Sequence, residues 1–199
     1  MEIAVAITGA SGTVIGVRLV QFLAEQGGHR VHLLLSRNAQ AVMVQELGPD
    51  VPLPADSRWG ADDWTAPIAS SSHAPQAMVV APCSMKTLAA IAHGYTDDLI
   101  VRVAEVMLRL NRPLILMPRE TPLSLPAIEN MRLARLAGAL LLPPVMAYYY
   151  RPQTVDEVTD FFVGKVLDLL GLEHNLYRRW GAGTPLASRE GASDWKSHR

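Results

Sequence analysis

Two loops rich in small and hydroxyl-bearing residues follow apolar stretches of the chain, and both have the composition of phosphate-binding loops. The first has the sequence Thr-Gly-Ala-Ser-Gly at residues 8–12, after the apolar run 3–7. The second has the sequence Ala-Pro-Cys-Ser-Met-Lys-Thr-Leu at residues 81–88, after the apolar run 77–80. Ser84 is placed to begin a helix, where backbone N–H groups, two hydroxyls and a lysine would form a socket for an anion. The two loops together predict a phosphorylated ligand in the crevice between them.

Two charged residues, Arg119 and Glu120, follow a later apolar run at residues 113–117. An arginine at the end of a strand can hold a phosphate or a ring carbonyl, and a glutamate beside it can hold that arginine or move a proton. An internal ion pair between the two side chains is the equally weighted alternative.

Apolar runs alternate with amphipathic segments, which is typical of a parallel sheet covered by helices on both faces. The predicted strands are 3–8, 30–36, 77–82, 113–117 and 139–142. The predicted helices are 16–26, 38–47, 84–93, 98–110, 125–137 and a last helix from a Thr154–Glu157 capping box to a stop at Gly171. Segment 48–75, rich in Pro, Asp, Ser and Trp, is expected to be irregular. The predicted fold is a single α/β domain over residues 1–172, a three-layer Rossmann- or flavodoxin-like sheet, followed by a partly ordered tail at 173–199.

The composition excludes several classes of protein. A chain of 199 residues with 49% hydrophobic residues can bury one core, and a net charge of −1 provides no general attraction to nucleic acid or to an acidic membrane. The single cysteine, Cys83, excludes an intramolecular disulfide and is expected to be a small core residue. The six histidines lack metal-ligand spacing, so no metal is expected. With no signal-type or membrane-spanning run, we expect a soluble cytoplasmic protein.

The first loop also resembles the dinucleotide-binding fingerprint of short-chain dehydrogenases, but Ile15 stands where that pattern has glycine. Those enzymes need a tyrosine followed four residues later by lysine, and none of the five tyrosines has one. Ser36 ends the second strand, where dinucleotide-binding folds usually have an acidic residue for the ribose. Hydride transfer is therefore rejected.

Several motifs together resemble those of UbiX-type flavin prenyltransferases, in order and over essentially the whole chain to Leu172. They are Gly-Ala-Ser-Gly at 9–12, Ala-Pro-Cys-Ser-Met-Lys-Thr at 81–87, Asp-Asp-Leu-Ile-Val-Arg at 97–102, Arg-Glu-Thr-Pro-Leu at 119–123, and the segment 143–152. The resemblance implies transfer of a dimethylallyl group from dimethylallyl phosphate to N5 and C6 of reduced FMN. The product would be the prenylated flavin used by UbiD-type decarboxylases. Proteins of this family were formerly labelled decarboxylase B subunits.

The resemblance also implies a division of the site into a flavin end and a donor end. The implied FMN-binding residues are Gly9, Ala10, Ser11, Ser36, Ser84, Met85, Lys86, Thr87 and Arg119. The implied residues for dimethylallyl phosphate are Tyr149 and Lys165, with Arg102, Arg109 and Glu120 from neighbouring segments or subunits. Ser11, Glu46, Glu120, Tyr149 and Lys165 are the implied catalytic residues, with Ser11 and Glu46 aiding proton removal. Trp180 matches a tail aromatic that covers the site, and no metal is implied.

Three positions depart from the family pattern, which often has an aromatic residue at Ile15, often has lysine at Arg109, and usually has asparagine at Asp98. Arg109 keeps the charge, whereas Ile15 could reshape the isoalloxazine pocket. The resemblance further implies a homododecamer with sites at subunit junctions. Two alternatives remain at this point. One is an FMN-dependent decarboxylase of the cysteine-decarboxylase type, and the other is a non-catalytic FMN-binding subunit of a decarboxylase complex.

Overall fold

The computed structural model describes residues 1–181, which form one parallel sheet between two layers of helices. The strands are β1 (Glu2–Ile7), β2 (Arg30–Leu35), β3 (Ser57–Gly60), β4 (Ala77–Cys83), β5 (Leu114–Pro118) and β6 (Leu140–Leu141). The helices are α1 (Thr13–Gln26), α2 (Ala39–Leu47), α3 (Met85–Ala92), α4 (Leu99–Arg109), α5 (Leu125–Leu136) and α6 (Val155–Leu170). All pairings are parallel, and the strand order is β3-β2-β1-β4-β5-β6. The predicted three-layer α/β fold is confirmed.

Alternation along the strands divides the core into two halves. Ile3, Val5 and Ile7 of β1 pack with α1, α2 and α6 on one face of the sheet. Ala4 and Ala6 face the opposite side, where α3, α4 and α5 pack. Burial of both faces explains why the strands have nearly continuous apolar sequences.

Helix α1 lies unusually close to the sheet because Gly16 has no side chain. A Cβ at this position would lie 2.1 Å from the carbonyl oxygen of Ala81 in β4. This glycine therefore serves the packing of helix against strand rather than the approach of a ligand.

The prediction that segment 48–75 is irregular is wrong at one place, where Ser57–Gly60 forms the edge strand β3. Its register pairs His32 with Ser57 and Leu35 with Gly60. The strand has four residues that alternate between half-buried and exposed, so it lacks the apolar run that identified the other strands. Its pairing with β2 is what identifies this segment as a strand.

The start of α1 and both ends of α6 follow from hydrogen bonds to their backbone N–H groups and from the backbone conformation there. Helix α1 begins at Thr13, three residues before the predicted start at 16, because the Glu46 carboxylate accepts the N–H groups of Gly12 and Thr13, both at 2.8 Å. The cap of α6 is confirmed, since the Thr154 hydroxyl accepts the Glu157 N–H at 3.1 Å and Gly171 adopts a φ of 69°. None of the helices within residues 1–181 has the length and apolarity needed to span a membrane.

Candidate active site

The two phosphate-type loops lie side by side at the point where the strand order reverses. They follow β1 and β4, which are neighbours in the sheet, while the following strands lie on opposite sides. Thr8 ties the loops together, because its hydroxyl donates to the Pro82 carbonyl at 2.7 Å and accepts the Ser84 N–H at 2.7 Å. Thr8 is fully buried. Sequence analysis included Thr8 in the first loop but did not predict its bonds to the second loop, because those bonds depend on the pairing of β1 with β4.

Ser84 begins α3, as its position predicted. Its hydroxyl oxygen accepts the Thr87 N–H at 3.3 Å and lies 3.0 Å from the Thr87 hydroxyl oxygen. This arrangement places two hydroxyls and the helix N-terminus at one end of a cavity of ≈ 300 Å³. The cavity is lined by Gly9, Ser36, Arg37, Asn38, Ser84, Lys86, Thr87 and Asp98.

Five of the implied FMN ligands therefore meet at this cavity, together with residues from the β2–α2 loop that the sequence did not suggest. Gly9 is required there for internal packing, since a Cβ on it would lie 2.8 Å from the Cβ of Asn38. Arg37 lines the same wall and forms an exposed ion pair with Asp62. Both Met85, the first residue of α3, and Ala10, in the loop after β1, are half-buried.

The Lys86 side chain is paired with two carboxylates, whereas the predicted anion socket had its ammonium available to the anion. Its ammonium lies 2.9 Å from an Asp97 carboxylate oxygen and 3.1 Å from one of Asp98. Burial lowers the pKa of Lys86, but the two carboxylates outweigh that effect and raise it. The neutral donors of Ser84, Thr87 and the α3 N-terminus are consequently the main partners available to a phosphate.

Asp98 has a second role, because its other carboxylate oxygen caps α4 by accepting the Val101 N–H at 2.9 Å. Asp98→Asn preserves an oxygen for this cap and removes one negative charge from the cavity wall. We expect FMN to bind several-fold more tightly to Asp98→Asn than to the unaltered protein, by titration with flavin fluorescence. Unchanged affinity would show that Lys86 already cancels the carboxylate completely.

A test of the phosphate end uses Ser84→Ala. Loss of a hydrogen bond to a charged phosphate is expected to cost about 1.5–3 kcal/mol in FMN binding, a weakening of roughly tenfold or more. Ser124→Ala is the matched control, since Ser124 caps α5 through the Ala127 N–H at 3.3 Å and lies outside the cavity lining. If FMN and riboflavin bind the unaltered protein equally well, no phosphate site exists in this cavity.

Ser11, Glu46 and Arg119 meet at the loop after β1. The Glu46 carboxylate accepts the Thr13 hydroxyl at 2.6 Å and the N–H groups of Gly12 and Thr13. Burial raises the pKa of Glu46, but hydrogen bonds from Ser11, Thr13 and the backbone outweigh it and hold the pKa below its ordinary value. Arg119 donates to the Ser11 carbonyl at 3.2 Å. Glu46 is thus an ionised acceptor bound to the α1 N-terminus.

Glu120 is hydrogen-bonded within its own loop. Its carboxylate accepts the N–H of Thr121 at 2.9 Å and is exposed. The alternative of an internal Arg119–Glu120 ion pair is not what residues 1–181 show, since no such pair forms between the two side chains there.

A second group of implied site residues lies on and beside α6. The Lys165 ammonium donates to the Tyr177 hydroxyl at 2.7 Å and lies 4.6 Å from the Tyr177 ring centroid and 5.3 Å from that of Phe161. Tyr149 meets the ring of Trp180 edge to face at 5.2 Å. This group combines the Lys165 and Arg179 cations with several aromatic faces, an arrangement suited to an allylic phosphate.

Arg102 and Arg109 lie elsewhere, on α4 at the opposite face of the sheet. Both share Glu105, at 2.9 Å and 3.6 Å respectively, and Arg102 also donates to the Ala69 carbonyl at 3.1 Å. One chain therefore does not bring them to Lys165 or Tyr149.

Two predictions concern residues without a direct catalytic role. Cys83 is fully buried as expected, and burial raises the pKa of its thiol, so it is a core residue rather than a nucleophile. Among the residues that the structure describes, no group of three or more His, Cys, Asp and Glu could hold a metal ion. Metal-independent catalysis stays a prediction.

The family model and the curated relatives indicate one family. The family model described as "Flavoprotein" matches residues 1–166. The flavin prenyltransferase UbiX of Methanocaldococcus jannaschii is 42% identical over 184 residues, which covers 91% of this chain and 99% of that protein.

Two crystal structures are similar over nearly their whole length. AnUbiX (PadA1) in complex with FMN and dimethylallyl pyrophosphate is 39% identical with a TM-score of 0.86, covering 92% of this chain and 98% of that one. The dodecameric FMN-dependent UbiX-like decarboxylase of Escherichia coli O157:H7 is 41% identical with a TM-score of 0.86, covering 90% of this chain and 99% of that one. The chain accordingly belongs to the UbiX flavin prenyltransferases of the Flavoprotein family.

Proposed function

We propose that this chain transfers a dimethylallyl group from dimethylallyl phosphate to N5 and C6 of reduced FMN. The observation that carries the proposal is the position of Lys165, an ammonium held between aromatic rings and separate from the phosphate-type loops. Breaking an allylic C–O bond leaves a phosphate dianion and a cation-like carbon. Such a reaction needs a cation on one side and π faces on the other.

The flavin end of the site is assigned to the cavity at the ends of β1, β2 and β4. Ser36, Ser84 and Thr87 would hold the FMN phosphate, and the loop of Gly9, Ala10 and Ser11 would lie along the flavin with Arg119, Met85 and Lys86. The Ser84 and Thr87 hydroxyls at the N-terminus of α3 support a single terminal phosphate at this end. Ser36 gives no acidic partner for the ribose of a dinucleotide.

Proton removal from the flavin is assigned to Ser11 and Glu46. Because its pKa is depressed, Glu46 is ionised and able to accept a hydrogen bond from the Ser11 hydroxyl. We infer that Ser11 touches the flavin and that Glu46 holds Ser11 in place and accepts the proton through it.

The donor end is assigned to Tyr149 and Lys165, with Trp180 as the side chain that covers it. We place Arg102, Arg109 and Glu120 of neighbouring subunits at the same phosphate, which requires a homo-oligomer. A homododecamer is proposed because the similar Escherichia coli protein is dodecameric.

We further propose that the product serves a separate UbiD-type decarboxylase, and that the protein works in the cytoplasm, where its flavin substrate can be kept reduced. The similar Escherichia coli protein bears the name decarboxylase, which keeps an FMN-dependent decarboxylase as the second candidate. The Lys165 group favours prenyl transfer, because neither decarboxylation nor simple FMN binding needs a cation between aromatic rings away from the phosphate loops.

Phosphate release tests the proposal. Anaerobic incubation with reduced FMN and dimethylallyl phosphate is expected to release one inorganic phosphate for each flavin consumed. Oxidised FMN is the matched control and is expected to release none, because its N5 is an imine-type nitrogen in an electron-poor ring and is a far weaker nucleophile than the N5 amine of reduced FMN. Release of phosphate without any flavin would identify a phosphatase and contradict the proposal.

A further inference from the structure

The end of the described chain packs on α6 where that helix has no side chain. Gly164 lies inside α6, and a Cβ on it would lie 2.6 Å from Cδ1 of Tyr177 and 2.8 Å from Cε1 of His174. Glycine is unfavourable in the interior of a helix. Its presence here allows both rings to lie directly on the helix backbone, so residues 173–180 have a specific docked position.

Asp168, one turn after Gly164, fastens this segment through both carboxylate oxygens. Oδ1 accepts a guanidinium N–H of Arg179 at 2.7 Å and lies 3.1 Å from Nε2 of His174. Oδ2 accepts the hydroxyl of Tyr177. Burial raises the pKa of Asp168, but the hydrogen bonds of these three partners outweigh it and lower the pKa to about 2. We call these four residues the Asp168 cluster.

The imidazole of His174 has partners at both ring nitrogens. Nδ1 accepts the Leu176 N–H at 3.3 Å, and Nε2 lies 3.1 Å from Oδ1 of Asp168 and 3.3 Å from a guanidinium nitrogen of Arg179. The imidazole is fully buried. Two cations, Lys165 and Arg179, lie beside the single carboxylate of Asp168.

The Tyr177 hydroxyl connects this cluster to Lys165. It donates to Asp168 and accepts from the Lys165 ammonium at 2.7 Å, while Lys165 lies 3.8 Å from Asp168. A lysine side chain has several rotatable bonds, and fixing them before a ligand arrives removes that entropic cost from binding.

We propose that Asp168 and Tyr177 are positioning residues for the prenyl donor, because they hold residues 173–180 on α6 and thereby orient the Lys165 ammonium. The proposal rests on the proposed function. The same segment carries Trp180, which contacts the ring of Tyr149, so both assigned donor ligands are oriented from it.

The test compares Asp168→Asn, Tyr177→Phe and Gly164→Ala with Asp160→Asn as the matched control. Asp160 also lies on α6, has the same side-chain exposure of 27%, and pairs with Arg18 instead. Gly164→Ala changes no charge and favours the helix, yet its methyl group displaces the two rings. Tyr177→Phe keeps the ring and removes only the hydroxyl.

We expect hydrogen exchange at the backbone amides of residues 174–177 to accelerate in Asp168→Asn and Gly164→Ala but not in Asp160→Asn. The KM for dimethylallyl phosphate is expected to rise about tenfold in Asp168→Asn, Tyr177→Phe and Gly164→Ala, as for one lost hydrogen bond to a charged group. The Kd for FMN is expected to stay unchanged, which a general loss of structure would not produce.

Two outcomes would overturn the inference separately from the proposed function. One is a wild-type KM for the donor in all three variants, and the other is an FMN Kd that weakens in parallel with the donor KM. If the unaltered protein transferred no prenyl group while residues 174–177 remained protected, the proposed function would fail, and the positioning role with it.

Discussion

Lys165→Ala is expected to reduce the rate of prenyl transfer by about 100-fold while FMN remains bound. The reason is that Lys165 is assigned to the departing phosphate, where removal of one preorganised donor typically costs a factor of this size. Its ammonium lies on α6, on a different element from the loops that line the FMN cavity. Single-turnover kinetics with reduced FMN and an FMN titration measure the two quantities separately.

The control for loss of charge is Arg132→Ala, because Arg132 pairs with Glu129 on the exposed side of α5. It is expected to transfer the prenyl group at the unaltered rate. Tyr149→Phe is also expected to retain FMN and to slow prenyl transfer, by a smaller factor than Lys165→Ala. If Lys165→Ala lost FMN but kept full turnover per bound flavin, the division into a flavin end and a donor end would be wrong.

The second large effect concerns decarboxylation. The purified protein is expected to release no carbon dioxide from any aromatic acid, with or without FMN. Decarboxylation of such an acid needs an electron sink for the developing carbanion and a group that reprotonates it. The residues gathered here are assigned to phosphates and to a cation-like carbon instead. With reduced FMN and dimethylallyl phosphate, the protein is nevertheless expected to activate a separately purified UbiD-type apo-decarboxylase.

The matched control for this experiment is the Lys165→Ala variant in the same coupled assay, which is expected to activate the apo-decarboxylase about 100-fold more slowly. Stoichiometric release of carbon dioxide by this chain alone would restore the older description of the family as decarboxylase subunits.

Most of the fold could be predicted because the strands are buried on both faces and have unbroken apolar sequences. The strand β3 could not, since its four residues alternate between half-buried and exposed and it is an edge strand, paired with β2 alone within residues 1–181. The start of α1 at Thr13, three residues before the predicted one, also depends on a contact that is distant in sequence. Its first N–H groups are satisfied by Glu46, a residue more than thirty positions away.

The candidate site was predictable in its residue types and not in its internal contacts. Ser84 was recognised because a helix cap is a local pattern. Lys86 was expected to be available to an anion, and its pairing with Asp97 and Asp98 depends on how α3 and α4 approach each other. Thr8 and the Asp168 cluster also depend on tertiary packing. Residues 182–199 of the predicted tail lie outside the described residues.

The mass of the flavin tests the central claim most directly. After anaerobic incubation with reduced FMN and dimethylallyl phosphate, the flavin released from the protein is expected to be heavier than FMN by one C5H8 unit. The new bonds from N5 and C6 to the five-carbon unit replace the N5–H and C6–H bonds of reduced FMN. One of these protons ends on the five-carbon bridge and the other leaves with the phosphate, so the net gain is C5H8. Recovery of unmodified FMN, from protein shown to bind both reduced FMN and the donor, would contradict the assignment as a flavin prenyltransferase.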